Sequence, residues 1–276
     1  MRGRPHPEPG VDNVRVEANL PTTLWAAVRH DLYTLFGSVA NSEVRLAPGA
    51  LLGISGGPTA DFNMAFIDEA AGDEARFGEF IGHVERAGVA AVFMVSGACA
   101  PRLGPIAREL GLVEAGSAPL MALDDPSPRP VDPGFAVHQV RDEKSLGVVA
   151  DLVAAAFSLD REWVGRTFCS KALLEVPSLS FFLASTQGEP ISAVTTTAGP
   201  NVVGIWSMAT APQHQRRGAG RAALLAAIDH HRRRGAKAFY LIATPAGKPL
   251  YDSVGFGTVD DCTLWIAGSS SQFPSH

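Results

Sequence analysis

The sequence predicts an α/β fold made of two domains of one type, each a central mixed sheet flanked by helices. Stretches with helical spacing of apolar residues alternate with short strand-like runs along the 276-residue chain. The segment DDPSPRPVDPG at 124–134 divides the chain, because its prolines fit neither a helix interior nor a central strand. The order helix, strands, helix, strand, helix, strand occurs on both sides of it, which indicates an old tandem duplication.

These patterns predict four segments. The first domain covers 1–125, a semi-rigid proline-rich linker covers 126–134, the second domain covers 135–268 and a flexible tail covers 269–276. The opening MRGRPHPEPG has no apolar run after its arginines, so we expect a disordered start and no signal peptide.

Composition argues against several classes of partner. The net charge of −5 does not favour nucleic acid or an anionic membrane, and no stretch has the length of apolar residues that a membrane span needs. Cys99, Cys169 and Cys262 lie far apart without a CxxC spacing, which predicts reduced thiols in a cytoplasmic protein. The adjacent pair His230 and His231 faces different ways on a helix, so we expect no metal site. We expect a monomer or a homodimer.

The elements of the first domain follow from periodicity and turn residues. The turn GISGGP at 53–58 invites a phosphate-loop interpretation, but no convincing helix follows it, so a hairpin turn is favoured. The predicted elements are a helix at 20–37, strands around that turn, a helix at 72–88, a strand at 89–97, a helix at 101–112 and a last strand at 117–125.

The second domain repeats this order with clearer signals. The run 178–210 predicts three antiparallel strands joined by the turns QGEP and AGPN. The other predicted elements are a strand at 135–142, helices at 143–157 and 161–174, a helix after residue 220, a strand at 236–244, a short helix within 245–256 and a closing strand at 262–268.

The stretch QRRGAGR at 215–221 stands between a strand and a helix. Unpaired N–H groups at a helix N-terminus attract anions, phosphate above all. Gly218 and Gly220 let the backbone approach such a group, and Arg216, Arg217 and Arg221 add positive charge. Neither the P-loop pattern nor GxGxxG is present, so the usual nucleotide fingerprints do not explain the stretch.

Two spaced motifs carry a resemblance to a known family. Gln215, Gly218 and Gly220 spell QxxGxG, and LYDSVGF at 250–256 follows at a suitable distance. Together they resemble the fingerprints of the GNAT acyltransferase superfamily over residues 135–267, which implies acetyl-CoA as cosubstrate and no metal. The first half resembles the degenerate N-terminal halves of bacterial two-domain members. It lacks QxxGxG and carries acids in AAGDEARF at 70–77, so we expect one competent site.

The resemblance implies roles for particular residues. A backbone N–H near Met208 would stabilise the oxyanion, the pantetheine arm would pair with the same strand edge, and the pyrophosphate would lie on the loop. Tyr251 occupies the position of the general acid, and Thr244 stands where the family often has an asparagine. The implied acetyl-CoA site consists of Met208, Ala209, Thr210, Gln215, Arg216, Arg217, Gly218, Ala219, Gly220, Arg221 and Thr244.

The sequence does not identify the base that would take a proton from the acceptor amine. The strand at 202–210 has no carboxylate where many family members have a glutamate. Asp160 and Glu162 are the candidates elsewhere in the sequence, but we expect both to be surface carboxylates exposed to solvent. Trp206 is a candidate for lining the acceptor side. Gly247 replaces a common alanine, and Pro249 is harmless only if its helix begins at Lys248.

The sequence therefore predicts an acetyl-CoA-dependent N-acetyltransferase. Its acceptor would be the amine of a small molecule or peptide, and the first domain would help form the acceptor cleft. The acyl chain length is left open, as is the alternative of a non-catalytic acyl-CoA-binding sensor or scaffold.

Overall fold

The computed structural model describes residues 20–68, 74–124, 126–200 and 202–268. The predicted disordered start, the tail at 269–276 and residues 70–73 of the acidic stretch lie outside the described residues. We refer to 20–124 as the N-terminal half and to 126–268 as the C-terminal half. The division at 126–134 stays a prediction.

The helices and strands lie where periodicity placed them, with shifts of a few residues at their ends. The helices are α1 (Leu20–Gly37), α2 (Glu74–Ala87), α3 (Ala100–Glu109), α4 (Glu143–Phe157), α5 (Arg161–Thr167), α6 (Lys171–Leu174), α7 (Ala219–Arg232) and α8 (Lys248–Val254). The strands are β1 (Glu43–Ala47), β2 (Ala50–Ile54), β3 (Asn63–Ile67), β4 (Ala91–Ser96), β5 (Val113–Asp124), β6 (Ala136–Gln139), β7 (Leu179–Thr186), β8 (Glu189–Ala198), β9 (Val202–Thr210), β10 (Ala238–Ile242) and β11 (Gly257–Ala267).

The predicted helix over 161–174 is two short helices. Helix α5 ends at Thr167, and Ser170 adopts an extended conformation before α6 begins. Serine favours the position just before a helix, because its short polar side chain suits the non-helical backbone there. The apolar spacing on either side continues without a break, which is why the sequence pattern did not show the interruption.

The strands of both halves join in one mixed sheet. Within the described residues its order is β1-β2-β3-β4-β11-β5-β10-β9-β8-β7-β6. The pairs β3–β4 and β9–β10 are parallel, and the other neighbours are antiparallel. The last strand of each half is exchanged: β11 pairs with β4, and β5 pairs with β10. The halves therefore share backbone hydrogen bonds as well as side-chain contacts.

Helices cover both faces of this sheet. Successive side chains of a strand point to opposite faces, and on β10 Phe239 and Leu241 pack in the cluster around α7 while Tyr240 packs in the cluster around α1. Helices α1 and α4 thus lie on one face, and α2, α3 and α7 on the other. Helix α1 of the N-terminal half extends over β9 of the C-terminal half. None of the helices in the described ranges combines the length and apolar character that crossing a bilayer requires.

Phe62 joins the two halves through the core. It closes a 3₁₀ turn in the N-terminal half, is fully buried, and lies in the hydrophobic cluster around α4. Its ring stacks on Phe168 with centroids 5.6 Å apart and lies 6.2 Å from the ring of Trp163. An aromatic side chain of one half is therefore part of the core of the other.

We expect the two halves to unfold together and Phe62→Ala to destabilise both. Removing a buried phenylalanine leaves a cavity and costs about 3–5 kcal/mol of the free energy of unfolding. Urea unfolding followed by circular dichroism measures this change. Tyr33→Ala, at an exposed ring of α1, is the matched control and should change stability little. Two separate unfolding transitions in the wild-type protein would contradict the shared core.

Candidate active site

The loop at 215–221 connects β9 to helix α7, as the sequence predicted. Arg216 has φ 61° and Gly218 has φ 93°, and Gly218 is the residue that precedes α7. Glycine adopts this left-handed backbone at 218 without strain. Any other residue would be strained there, and its Cβ would lie 3.4 Å from the Phe135 ring. The loop therefore leads straight into the N-terminus of a fourteen-residue helix, whose first N–H groups lack partners within the helix.

Strands β9 and β10 part at the level of this site. Their parallel pairing covers Val202–Gly204 with Ala238–Tyr240 and ends there. Beyond that point β10 stays paired with β5, and β9 continues to Thr210 paired with β8. One edge of β9 from 205 to 210 thus has backbone N–H and C=O groups facing the opening. An extended chain could pair with that edge as an added strand.

A β-bulge deforms β9 inside this opening. Thr195 pairs with Trp206 and Ala193 pairs with Ala209, so β9 holds one residue more than β8 between these pairs. Ser207 in the bulge has φ 45°, which is uncommon for a residue with a side chain. Bulges redirect backbone groups away from the ladder. The bulge falls at Ser207 and Met208, the place where the resemblance requires a free N–H.

Gly220 brings the loop against the end of β9. A Cβ at this position would lie 3.2 Å from Thr210 Oγ1, 3.4 Å from Met208 Cε and 3.5 Å from Leu250 Cδ2. Gln215 adds a second link, because its Nε2 donates to the Thr210 carbonyl oxygen over 3.3 Å. Glycine at 220 therefore keeps open the space between the loop, the strand and α8.

The remaining residues of the predicted acetyl-CoA site divide into three groups. Ala219 is buried as the first residue of α7, and the Ala209 side chain packs into the cluster around α4, so each can offer only its backbone to a ligand. Arg221 Nη1 donates to Ser253 Oγ over 3.0 Å and ties α7 to α8. Arg216 and Arg217 are exposed and form no ion pair among the described residues.

Tyr251 lies on α8 with its ring buried, 7% exposed. Burial raises the pKa of its phenol to about 12. Among the described residues the hydroxyl has no hydrogen-bond partner, so its proton is not held by another group. The phenol therefore keeps, at neutral pH, the proton that a donor at this position would supply.

The structure places all three departures from the family pattern near Tyr251, at residues 244, 247 and 249. A Cβ at Gly247 would lie 3.0 Å from Tyr251 Cε2, so glycine makes room for the ring. Gly247 N also donates to Thr244 Oγ1 over 3.2 Å, which places Thr244 beside the same ring. Helix α8 begins at Lys248, so Pro249 stands in its first turn and removes no helical hydrogen bond.

Asp160 and Glu162, the two carboxylates considered as the general base, interact with other residues of their own helix. Asp160 caps α5 by accepting a hydrogen bond from Trp163 N over 2.9 Å. Glu162 pairs with Arg166 one turn further along the same helix. Neither contacts a predicted site residue in the described part of the chain. The same ranges hold no group of three or more histidine, cysteine or acidic residues that could bind a metal ion.

Asp31 is a buried acid that the sequence analysis missed. It lies on α1, is 6% exposed, and accepts hydrogen bonds from the Thr197 and Tyr240 hydroxyls at its Oδ2. Trp206 Nε1 donates to Thr197 Oγ1 over 2.7 Å and completes the group. Burial raises the pKa of the Asp31 carboxyl, and the hydrogen bonds oppose that rise. One signal was present: residue 31 falls on the apolar stripe of α1 with Leu24, Val28 and Leu32.

A cleft of about 700 Å³ opens between the two halves. It lies between the end of α1 and helices α5 and α6. Its wall mixes apolar and neutral polar side chains with one arginine and no carboxylate. The lining residues are Gly37, Ser38, Val39, Ala40, Asn41, Ser55, Trp163, Arg166, Thr167, Ser170 and Ala172. Within this wall Thr167 Oγ1 and Ser170 Oγ are buried, and no described residue forms a hydrogen bond with either.

The comparisons with known proteins relate the C-terminal half to the GNAT acetyltransferases. Residues 149–256 match the model of the acetyltransferase (GNAT) family. That segment is a GNAT acetyltransferase domain, and the resemblance noted from the sequence is confirmed. The sequence matches no curated protein.

Solved structures with low sequence identity share the fold. A GCN5-related N-acetyltransferase from Kribbella flavida has a TM-score of 0.67 at 14% identity, covering 90% of this chain and 96% of its own. One from Sphaerobacter thermophilus has a TM-score of 0.55 at 15% identity, covering 80% and 81%. A tandem GNAT protein from the clavulanic acid biosynthesis pathway has a TM-score of 0.56 at 14% identity, covering 82% and 79%. The predicted fold class, with tandem GNAT-like halves, is confirmed.

Proposed function

We propose that this protein is an acetyl-CoA-dependent N-acetyltransferase with one active site, in its C-terminal half. The observation that carries the proposal is that three features are adjacent. These are the unpaired edge of β9, the loop at 215–221, whose Gly220 lies beside Met208 and Leu250, and helix α8, which carries Tyr251. The family match over 149–256 supports acyl transfer as the reaction class.

The charge and the free backbone groups of the opening support acetyl-CoA as the cosubstrate. The space kept open by Gly220 and the free N–H groups at the start of α7 suit a pyrophosphate, and the exposed Arg216 and Arg217 add positive charge. The edge of β9 at Met208–Thr210 suits the amide groups of a pantetheine arm.

Each group has a chemical task in direct transfer. The amine attacks the thioester carbonyl carbon, and a backbone N–H of the bulge at Met208 stabilises the negative oxygen that forms. When the carbon–sulfur bond breaks, Tyr251 donates its proton to the leaving thiolate. Proton donation by a positioned side chain accelerates such steps by about 10²–10⁴-fold.

The cleft between the halves is our candidate for the acceptor site. Its position matches the expectation that the N-terminal half helps to hold the acceptor. Trp163 and the apolar wall suit an aromatic or aliphatic body, while the one arginine of the wall, Arg166, pairs with Glu162. The free, buried cysteines support the proposal that the enzyme works in the reducing cytoplasm. A monomer or homodimer stays a prediction.

The proposal is tested by measuring CoA thiol release from acetyl-CoA with four amines: 2-phenylethylamine, spermidine, kanamycin and an unblocked tripeptide. We expect turnover, with kcat/KM for 2-phenylethylamine about tenfold above that for the two polycations, because contact of its aromatic body with the apolar wall is worth at least that much. Binding of acetyl-CoA without turnover of any amine would support the alternative, a non-catalytic acyl-CoA-binding sensor or scaffold. The lack of a carboxylate on β9 favours that alternative.

A further inference from the structure

We infer that Asp31, on the first helix of the N-terminal half, accepts the proton of the acceptor amine for the transfer site of the C-terminal half. The inference rests on the proposed acetyl transfer. It assigns to the N-terminal half the acidic group that β9 lacks, and it gives that half a chemical role as well as a binding one.

Asp31 reaches three strands of the other half. Its Oδ2 accepts from Thr197 on β8 and from Tyr240 on β10. On β9, a Cβ at Gly204 would lie 2.5 Å from this oxygen and 2.6 Å from Trp206 Nε1. Glycine at 204 therefore allows a carboxylate from a distant helix to lie against the strand backbone.

The carboxylate lies where the strands part. Tyr240 and Gly204 form the last pair between β10 and β9, and the bulge at Ser207 follows three residues later. A small cavity of about 20 Å³ is lined by Asp31, Thr195, Trp206 and Ser207 together with neighbouring side chains. That volume holds about one water, and the hydrogen-bonding groups that its largely apolar wall offers belong to Asp31, Thr195 and Ser207 and to Thr197 beside them. A single water can thus relay a proton from the bulge to Asp31.

The cavity also borders the proposed acceptor cleft. Its wall includes Leu35 and Phe168, and the cleft begins at Gly37 and Thr167, so the same ends of α1 and α5 line both spaces. An acceptor in the cleft therefore has a short path to Asp31.

The groups around Asp31 keep it able to take a proton. In the described ranges no lysine or arginine pairs with it, and its hydrogen bonds all reach Oδ2. The titratable groups facing it are Tyr240 on β10 and His30 on its own helix, while Thr197 and Trp206 are neutral donors. Burial raises the pKa of Asp31, which strengthens it as a base near neutral pH.

Every bond and proton is accounted for in this acetyl transfer. The ammonium form of the acceptor gives one proton through the water to the Asp31 carboxylate, which later releases it to solvent. The neutral amine forms the carbon–nitrogen bond, and the carbon–sulfur bond breaks. The thiolate takes the Tyr251 proton, and the second proton lost by the nitrogen restores the phenol. The products are the amide, CoA thiol and one proton.

The test compares Asp31→Asn with Asp68→Asn, using 2-phenylethylamine as acceptor. Asp68 is also buried and pairs with Arg29 on α1, so its variant reports the loss of a buried carboxylate that packs against the same helix. We expect Asp31→Asn to lower kcat/KM by about 100-fold while acetyl-CoA affinity stays within about threefold. Asp68→Asn should retain kcat/KM within about tenfold.

Thr197→Val provides a second readout, which holds even if the Asp31→Asn variant does not fold. It removes a hydrogen bond that lowers the pKa of Asp31, so the rise of kcat/KM with pH should move to higher pH. An unmoved pH profile, or Asp31→Asn turnover within about threefold of wild type, overturns the inference. No turnover by the wild-type protein counts against the proposed function instead, so the two failures are distinguishable.

Discussion

Gly220→Asp is expected to weaken acetyl-CoA binding by about 100-fold or more, equivalent to about 3 kcal/mol. A Cβ there would press against Thr210 Oγ1 at 3.2 Å and Met208 Cε at 3.4 Å. The carboxylate would also place negative charge at the start of α7, where the pyrophosphate is proposed to lie. Calorimetric titration of acetyl-CoA into the variant and the wild-type protein measures the difference.

Gly78→Asp is the matched control for this prediction. Gly78 is an exposed helical glycine of α2, and a Cβ there would meet nothing within 4 Å. It introduces the same charge into a helix of the other half and should leave acetyl-CoA affinity unchanged. Equal affinities of the Gly220 variant and the wild-type protein would show that the cofactor does not use this loop.

Tyr251→Phe is expected to lower kcat by about 100-fold or more, because it removes the proton donor for the leaving thiolate. Acetyl-CoA affinity and thermal stability should change little, since the hydroxyl has no hydrogen-bond partner among the described residues. CoA thiol release with 2-phenylethylamine measures kcat, and titration measures affinity. Tyr33→Phe, at an exposed ring of α1, is the control.

The pKa of Tyr251 sets the alkaline limit of activity if its phenol is the proton donor. With its pKa raised to about 12 by burial, Tyr251 keeps its proton across the neutral range. Loss of activity by its deprotonation should therefore begin only above about pH 11, one unit below that pKa. Unchanged kcat in Tyr251→Phe would remove the general-acid assignment while leaving the acetyl-CoA site standing.

Local patterns were sufficient for the elements and for the loop of the candidate site. Helix α7 begins one residue after Gly218, and α8 begins at Lys248, because glycine and proline have strong positional preferences. The motif at 215–221 could be recognised for the same reason, since its chemistry lies within seven consecutive residues. Its roles in binding remain predictions.

Long-range pairing could not be predicted in this way. The exchange of β5 and β11 depends on which strands meet, and periodicity describes only the two faces of a strand. Asp31 and Tyr240 are 209 positions apart and share a hydrogen bond across the two halves. An acid on the apolar stripe of α1 was a hint that a polar partner lay opposite, without identifying it.

Calorimetric titration of acetyl-CoA into the wild-type chain measures how many equivalents bind and so tests whether the protein has one active site. We expect one equivalent per chain, bound at the opening between β9 and β10. Two equivalents would contradict the single site, and no binding would contradict the acetyltransferase assignment and leave only the shared fold.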